Sequence, residues 1–197
     1  MDDGWKDIRT KSYLARIAIP GLLSNEECAR VLEICATRPL EPGRTWDGTG
    51  YRVDTRSRNI ETASIPRTDA TEWIYDRMDR AFFRLADVWG LDVRSTLEDL
   101  KYIVYRPGSH FTEWHMDTGP DYSNLRKLSM SVELNSSAEY DGGELHIFPF
   151  DSVHVAGPTR SAGTAVVFPS HRYHRVTPVT RGNRHVLVNW ISGPPLR

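Results

Sequence analysis

The chain has 197 residues, 39% hydrophobic and 26% charged, and its 25 basic and 26 acidic side chains leave a net charge of −1. That length favours a single domain, residues 1–197, able to bury about 70% of the surface its unfolded chain exposes. No apolar run approaches the ~18–20 residues that span a bilayer, and no run of like charges is present to track a phosphate backbone, so neither membrane nor nucleic acid is an expected partner. The opening MDDGWKD lacks the basic start and apolar stretch of a secretory signal, which sets the expected location as cytoplasmic. Cys28 and Cys35, if helical, lie ~10 Å apart along the axis. That is beyond disulfide reach, so both are expected as buried thiols in a reducing compartment.

Taken in chain order, residues 24–36 begin with Ser24 and place Glu27 three positions later, a capping box, before an apolar stripe of Cys28, Val31, Leu32 and Cys35. A second helical pattern runs from about Thr68 to Trp89, with Ile74, Met78, Ala81, Phe82, Leu85 and Trp89 on one face, and Gly90 stops it. Between the helices, residues 38–66 hold three prolines and three glycines among polar groups. This predicts a long irregular stretch of the kind compact domains keep for a function, here a substrate loop. Its Trp46, Arg56 and Arg58 are substrate candidates, with Arg44, Asp47, Tyr51 and Arg52 beside them and Trp114 and Tyr122 at the entrance. The group combines cations with aromatics, which suits a substrate carrying a carboxylate or an extended peptide backbone.

After about Leu97 the pattern changes to short β-branched and aromatic runs: LKYIVYRPG, HFTEWHMDT, KLSMSVELN, GGELHIF, GTAVVFP, YHRVTPV and RHVLVNWI. Strands this closely spaced, with almost no helical pattern among them, predict a mainly β fold, a double-stranded β-helix or jelly roll, braced by the N-terminal helices. The division is then 1–96 for helical support and substrate loop, 97–192 for the jelly-roll core and 193–197 for a tail.

Within HFTEWHMDT, His115 and Asp117 are two apart, so on a strand both project from one face. Such a pair is a two-toothed metal clamp, and His174, from a late strand, completes two histidines and one carboxylate, the facial triad of non-haem Fe(II) oxygenases. His171 is the nearest rival for the third position. The remaining histidines, His110, His146, His154 and His185, are expected to make ordinary hydrogen bonds. Arg184 follows His174 by ten residues across HRVTPVTRGNR. In an iron site that also binds a dicarboxylic 2-oxo acid, its planar fork suits the distal carboxylate.

The segments KYIVYRPGSHFTEWHMDT, KLSMSVELNSSAEYDGGELHIF and AVVFPSHRYHRVTPVTRGNRHVLVNW together resemble the Fe(II)- and 2-oxoglutarate-dependent dioxygenases of the prolyl/lysyl hydroxylase, prolyl 4-hydroxylase-like branch. The resemblance covers roughly residues 97–192. It implies His115, Asp117 and His174 as iron ligands, Arg184 as the 2-oxoglutarate anchor, and either Tyr105 or Tyr102 as a hydroxyl donor to that cosubstrate. It further implies Fe(II), 2-oxoglutarate and dioxygen as requirements, and hydroxylation of an amino-acid side chain, peptidyl proline or lysine, with release of succinate and carbon dioxide. Asp117 favours hydroxylation over halogenation, since related halogenases usually lack the carboxylate. The alternatives carried forward are a free amino acid or natural product as substrate, a cupin-like enzyme that does not use 2-oxoglutarate, and a non-catalytic jelly-roll binding module.

Overall fold

The computed structural model describes residues 16–148 and 160–195. Its elements in order are β1 (Ile17–Ile19), α1 (Asn25–Ala36), β2 (Glu41–Pro42), β3 (Thr45–Trp46), β4 (Tyr51–Arg52), β5 (Arg58–Asn59), β6 (Glu61–Ile65) and α2 (Glu72–Trp89). The second half of the chain continues with β7 (Leu100–Tyr105), β8 (His110–His115), β9 (Arg126–Glu133), β10 (Asp141–Gly142), β11 (Leu145–Ile147), β12 (Ala165–Pro169), β13 (His174–Val176), β14 (Val179–Arg181) and β15 (Arg184–Ser192).

Two facing sheets carry the fold, a seven-stranded one in the order β1-β12-β9-β15-β7-β6-β2 and a four-stranded one in the order β11-β13-β8-β5. Period-two alternation gives the large sheet two apolar faces. Leu100, Tyr102, Val104, Leu128, Met130, Val132, Leu187 and Ile191 pack with the helices, while Ile103, Tyr105, Val166, Phe168 and Val186 turn inward to Leu145, Ile147 and Val176 of the small sheet. This is the jelly roll, with the helices bracing the outer face of its larger sheet.

The helices keep their predicted faces. Ser24 caps α1 with both arms of the capping box formed, and α2 buries Ile74, Met78, Ala81, Phe82, Leu85 and Trp89 before Gly90 closes it in the left-handed conformation. Helix α2 starts at Glu72 rather than near Thr68, because the Thr71 hydroxyl donates to the Pro66 carbonyl at 2.6 Å and holds residues 66–71 in a turn. Cys28 and Cys35 are free and buried on α1, where burial pushes their thiols up to about 11 and about 12.

Residues 38–66 are not the irregular loop that their composition suggests. They form β2 to β6, and β6 is a full member of the large sheet beside β7. Four of these strands are two residues long, too short for alternation to register in the sequence. Gly142 and Gly143 both take positive φ where the chain crosses β14, and a Cβ on Gly142 would stand 2.1 Å from the Pro178 carbonyl oxygen.

Candidate metal centre

His115 ends β8, His174 begins β13, and these antiparallel neighbours set the two histidines directly opposite each other. Their rings stand 4.1 Å apart. Asp117 lies just beyond the end of β8, where its N–H donates to the Ser170 carbonyl at 2.9 Å and its carbonyl accepts from Arg126 Nη1 at 2.9 Å. The clamp is therefore a strand residue and a turn residue, not two positions of one strand face. One ligand atom from each of His115, Asp117 and His174 lies within 4.8 Å of the others, and His174 Nε2 is 3.7 Å from Asp117 Oδ2.

Each histidine places Nδ1 3.0 Å from a carbonyl two residues back, Glu113 for His115 and Arg172 for His174. A carbonyl only accepts, so each Nδ1 carries the proton and each Nε2 keeps its lone pair. That is the tautomer a metal requires, oriented by the hydrogen bond on the far side of the ring. The Ser129 hydroxyl donates to Asp117 Oδ2 at 2.6 Å. Burial, with the His174 imidazole alongside, drives His115 down to about 3. For Asp117 burial works upward, but the two imidazoles and Ser129 outweigh it and hold the carboxyl below its usual range. At neutral pH the His115 imidazole is neutral and Asp117 is ionised, the forms that ligate a divalent metal. Two nitrogens and one carboxylate oxygen fit Fe(II).

A pH dependence follows for the metal-free protein. The folded pKa of His115 lies below the unfolded value of 6.5, so between these values the unfolded chain takes up a proton that the folded chain refuses, and stability falls as pH drops through this window. The urea midpoint is expected to be lower at pH 5 than at pH 7, and His115→Gln, neutral at both, is expected to lose part of that difference. An unchanged difference in this variant would place the dependence elsewhere.

A cavity of about 670 Å³ opens over the three residues and runs between the sheets. Alternate residues of β15, Arg184, Val186, Val188 and Trp190, wall it on one side, with Tyr105 from β7 and Ser131 from β9. Arg184 is only 2% exposed. Its Nε donates to Glu133 Oε2 at 3.1 Å, its Nη2 donates to Glu133 Oε1, and the Tyr140 hydroxyl donates to Glu133 Oε2 at 3.1 Å. Although burial opposes the charge, Glu133 holds the Arg184 pKa above its ordinary value. Glu133 is absent from the sequence candidates. The signal available for it was one carboxylate at an inward position of KLSMSVELN, where the alternation calls for a small or apolar side chain.

The other candidates separate by strand face. Tyr105 pairs across the strands with Arg184 and carries its guanidinium 5.3 Å from the ring centre. Tyr102 does not reach the cavity. It faces the helices, and its hydroxyl is 2.7 Å from His185 Nδ1. Trp46 and Arg58 line the cavity, as do Arg44, Tyr51 and Tyr122. Arg56 does not, its exposed side chain instead pairing with Asp54 at 3.2 Å, and Asp47 with Arg52 is a second exposed pair outside the lining at 2.5 Å. Trp114 projects from the opposite face of β8 to its neighbour His115 and stacks under Arg175 at 4.6 Å. His171 lines a separate cavity of about 210 Å³, and His154 lies outside the described residues.

Comparison with known proteins agrees with this geometry. Residues 100–192 match the 2OG-Fe(II) oxygenase superfamily. The chain is 27% identical over 177 residues to a PKHD-type hydroxylase of Acaryochloris marina, covering 89% of this chain and 77% of the relative. It is 29% identical over 180 residues to one of Burkholderia thailandensis, covering 88% and 76%. Among solved structures, a Pseudomonas putida prolyl-4-hydroxylase superposes with a TM-score of 0.72 at 24% identity, covering 96% of each chain. A Trichoplax adhaerens prolyl hydroxylase in complex with a hypoxia inducible factor peptide fragment also gives 0.72, at 16% identity over 98% of this chain and 94% of that one. These last two likenesses establish the fold.

Proposed function

We propose, for a chain that belongs to the 2OG-Fe(II) oxygenase superfamily, that it hydroxylates a prolyl residue, with His115, Asp117 and His174 holding the iron and Arg184 anchoring 2-oxoglutarate. Membership makes the protein a dioxygenase that uses Fe(II), 2-oxoglutarate and dioxygen. Bound iron and cosubstrate together supply the oxidising chemistry, releasing succinate and carbon dioxide; the protein binds, orients and excludes water. The observation that carries the assignment is one cavity holding both the three ligand atoms within 4.8 Å and a buried arginine. Glu133 occupies the Nε–Nη2 edge of that arginine, so the Nη1 end is the part that meets the distal carboxylate, with the Tyr105 hydroxyl as the neighbouring donor. Val186 and Val188 keep water from the pair.

Proline as the target is supported by the substrates named for the superposed prolyl hydroxylases, and a lysyl residue, a free amino acid or a natural product is the alternative. Among the described residues no helix is long and apolar enough to cross a membrane, and the two free buried thiols suit a reducing compartment such as the cytoplasm. The test is a screen of prolyl peptides and free amino acids for stimulated 2-oxoglutarate turnover, with mass detection of one added oxygen atom. Stimulation by non-prolyl compounds alone would refute proline as the target.

Trp46 is 43% exposed at the mouth, with Tyr51 edge-on at 5.2 Å. Trp46→Ala is expected to raise KM for the prime substrate several-fold more than KM for 2-oxoglutarate, whereas Arg56→Ala, on the solvent side, leaves both near their original values. Equal rises in the two constants for Trp46→Ala would make Trp46 a structural support instead.

A further inference from the structure

The cavity holds a cation with no role in binding either iron or 2-oxoglutarate. β5 pairs with β8 so that Arg58 lies opposite Phe111. The Arg58 guanidinium carbon sits 4.7 Å from the Phe111 ring centre, and Phe111 stacks on His115 at 3.6 Å with the ring planes 13° apart. The charge therefore stands one ring away from a ligand of the proposed iron site. Its Nη1 donates to the Arg44 carbonyl at 2.7 Å, which fixes the guanidinium, while Nε is buried without a hydrogen-bond partner.

Of the other arginines on the lining, Arg184 holds Glu133 and Arg126 holds Glu98, while Arg44 is exposed to solvent. Among the described residues Arg58 forms no ion pair. The remaining acids on the lining do not supply one: Asp121 accepts from the Tyr51 hydroxyl at 2.8 Å, Glu41 is exposed at the rim, and Asp117 belongs to the metal set. Burial pulls the Arg58 pKa down, and Tyr105 and Asp117, the groups that oppose this, do not offset it. Such a group is costly until an anion reaches it.

The two carboxylates of 2-oxoglutarate are already assigned, one to the metal and one to Arg184. We propose that Arg58 binds a carboxylate of the prime substrate, a few bonds from the carbon that is hydroxylated. This rests on the site assignment above and narrows its substrate class to acids. One guanidinium matches one carboxylate in charge and geometry. The carboxylate comes either from a free or C-terminal amino acid or from an acidic side chain next to the target residue.

The test compares acid and amide partners with the iron-loaded full chain, reading succinate formed per unit time. The set is L-proline and L-prolinamide, end-blocked Ala-Pro-Asp and Ala-Pro-Asn, and non-prolyl free amino acids with their amides. The acid of at least one pair is expected to exceed its amide in kcat/KM by about 10- to 100-fold, the range of one charge-assisted contact. In Arg58→Leu that preference is expected to collapse towards parity while the Kd for 2-oxoglutarate moves less than about twofold, and Arg58→Lys retains part of the preference. The pair that responds identifies the source of the carboxylate. Equal turnover of acids and amides in the unmodified protein, an Arg58→Leu variant that keeps the preference, loss of 2-oxoglutarate affinity in that variant, or no stimulation by any acid would each overturn the proposal. Activity confined to non-prolyl acids would overturn proline as the target while supporting Arg58.

Discussion

Replacing Asp117 by Ala is expected to lower hydroxylation by more than about 10²-fold in a protein that still folds. Losing a group that merely orients a ligand already costs about 10–100-fold, and Asp117 is assigned as a ligand itself, the one carboxylate of the set. The fold survives because its segment is tied through the main chain, to the Ser170 carbonyl and to Arg126, neither of which needs the side chain. Removing the carboxylate also relieves a buried charge. Iron content after desalting, succinate yield and a thermal melt check the three parts together. A fully active Asp117→Ala enzyme would remove Asp117 from the ligand set.

Arg184→Gln is expected to weaken 2-oxoglutarate by about 10²–10³-fold, since charge-assisted hydrogen bonds contribute about 1.5–3 kcal/mol and loss of one partner of a buried pair costs about 3–5 kcal/mol. The structure adds a second consequence. Glu133, 5% exposed, would be left with Tyr140 alone, so the single variant is destabilised as well. The double variant Glu133→Gln with Arg184→Gln is expected to recover most of that stability without recovering cosubstrate affinity, which separates anchoring from structural support. Arg184→Lys falls between, keeping the charge and losing the fork. Arg181→Gln is the control, because Arg181 pairs in solvent with exposed Asp141 at 2.6 Å. Calorimetric titration of 2-oxoglutarate into manganese-loaded protein measures all four. Loss of affinity in Arg181→Gln with Arg184→Gln unaffected would move the anchor to the end of β14.

The grouping of His115, Asp117 and His174 was legible only in part: His115 and Asp117 are two apart along the chain, whereas His174 joins them through the pairing of β13 with β8, which the residue pattern does not specify. Each of the seven runs contains a strand, five to nine residues long in β7, β8, β9, β12 and β15 but only three in β11 and β13, where the flanking turn residues carried the signal. What escaped reading was decided by contacts between distant segments. Odd and even positions of KYIVYR assign Tyr102 and Tyr105 to opposite faces, yet only the pairing of Tyr105 with Arg184 decides which face is inside. Arg56 and Arg58 differ by two residues and look equivalent in sequence. One faces solvent and the other packs on Phe111, because β5 begins at Arg58, paired with Phe111 of β8, while Arg56 lies in the preceding turn with Asp54. Glu133 was hidden for the same reason: its partner lies 51 residues away.

The most direct test of the metal and cosubstrate assignment is an anaerobic titration of 2-oxoglutarate into Fe(II)-loaded protein, followed by the visible metal-to-ligand charge-transfer band. The band is expected to grow to saturation at one equivalent of 2-oxoglutarate per chain and to be lost in His174→Ala. No band in the unmodified protein, or an unchanged band in His174→Ala, would contradict an iron centre built from His115, Asp117 and His174.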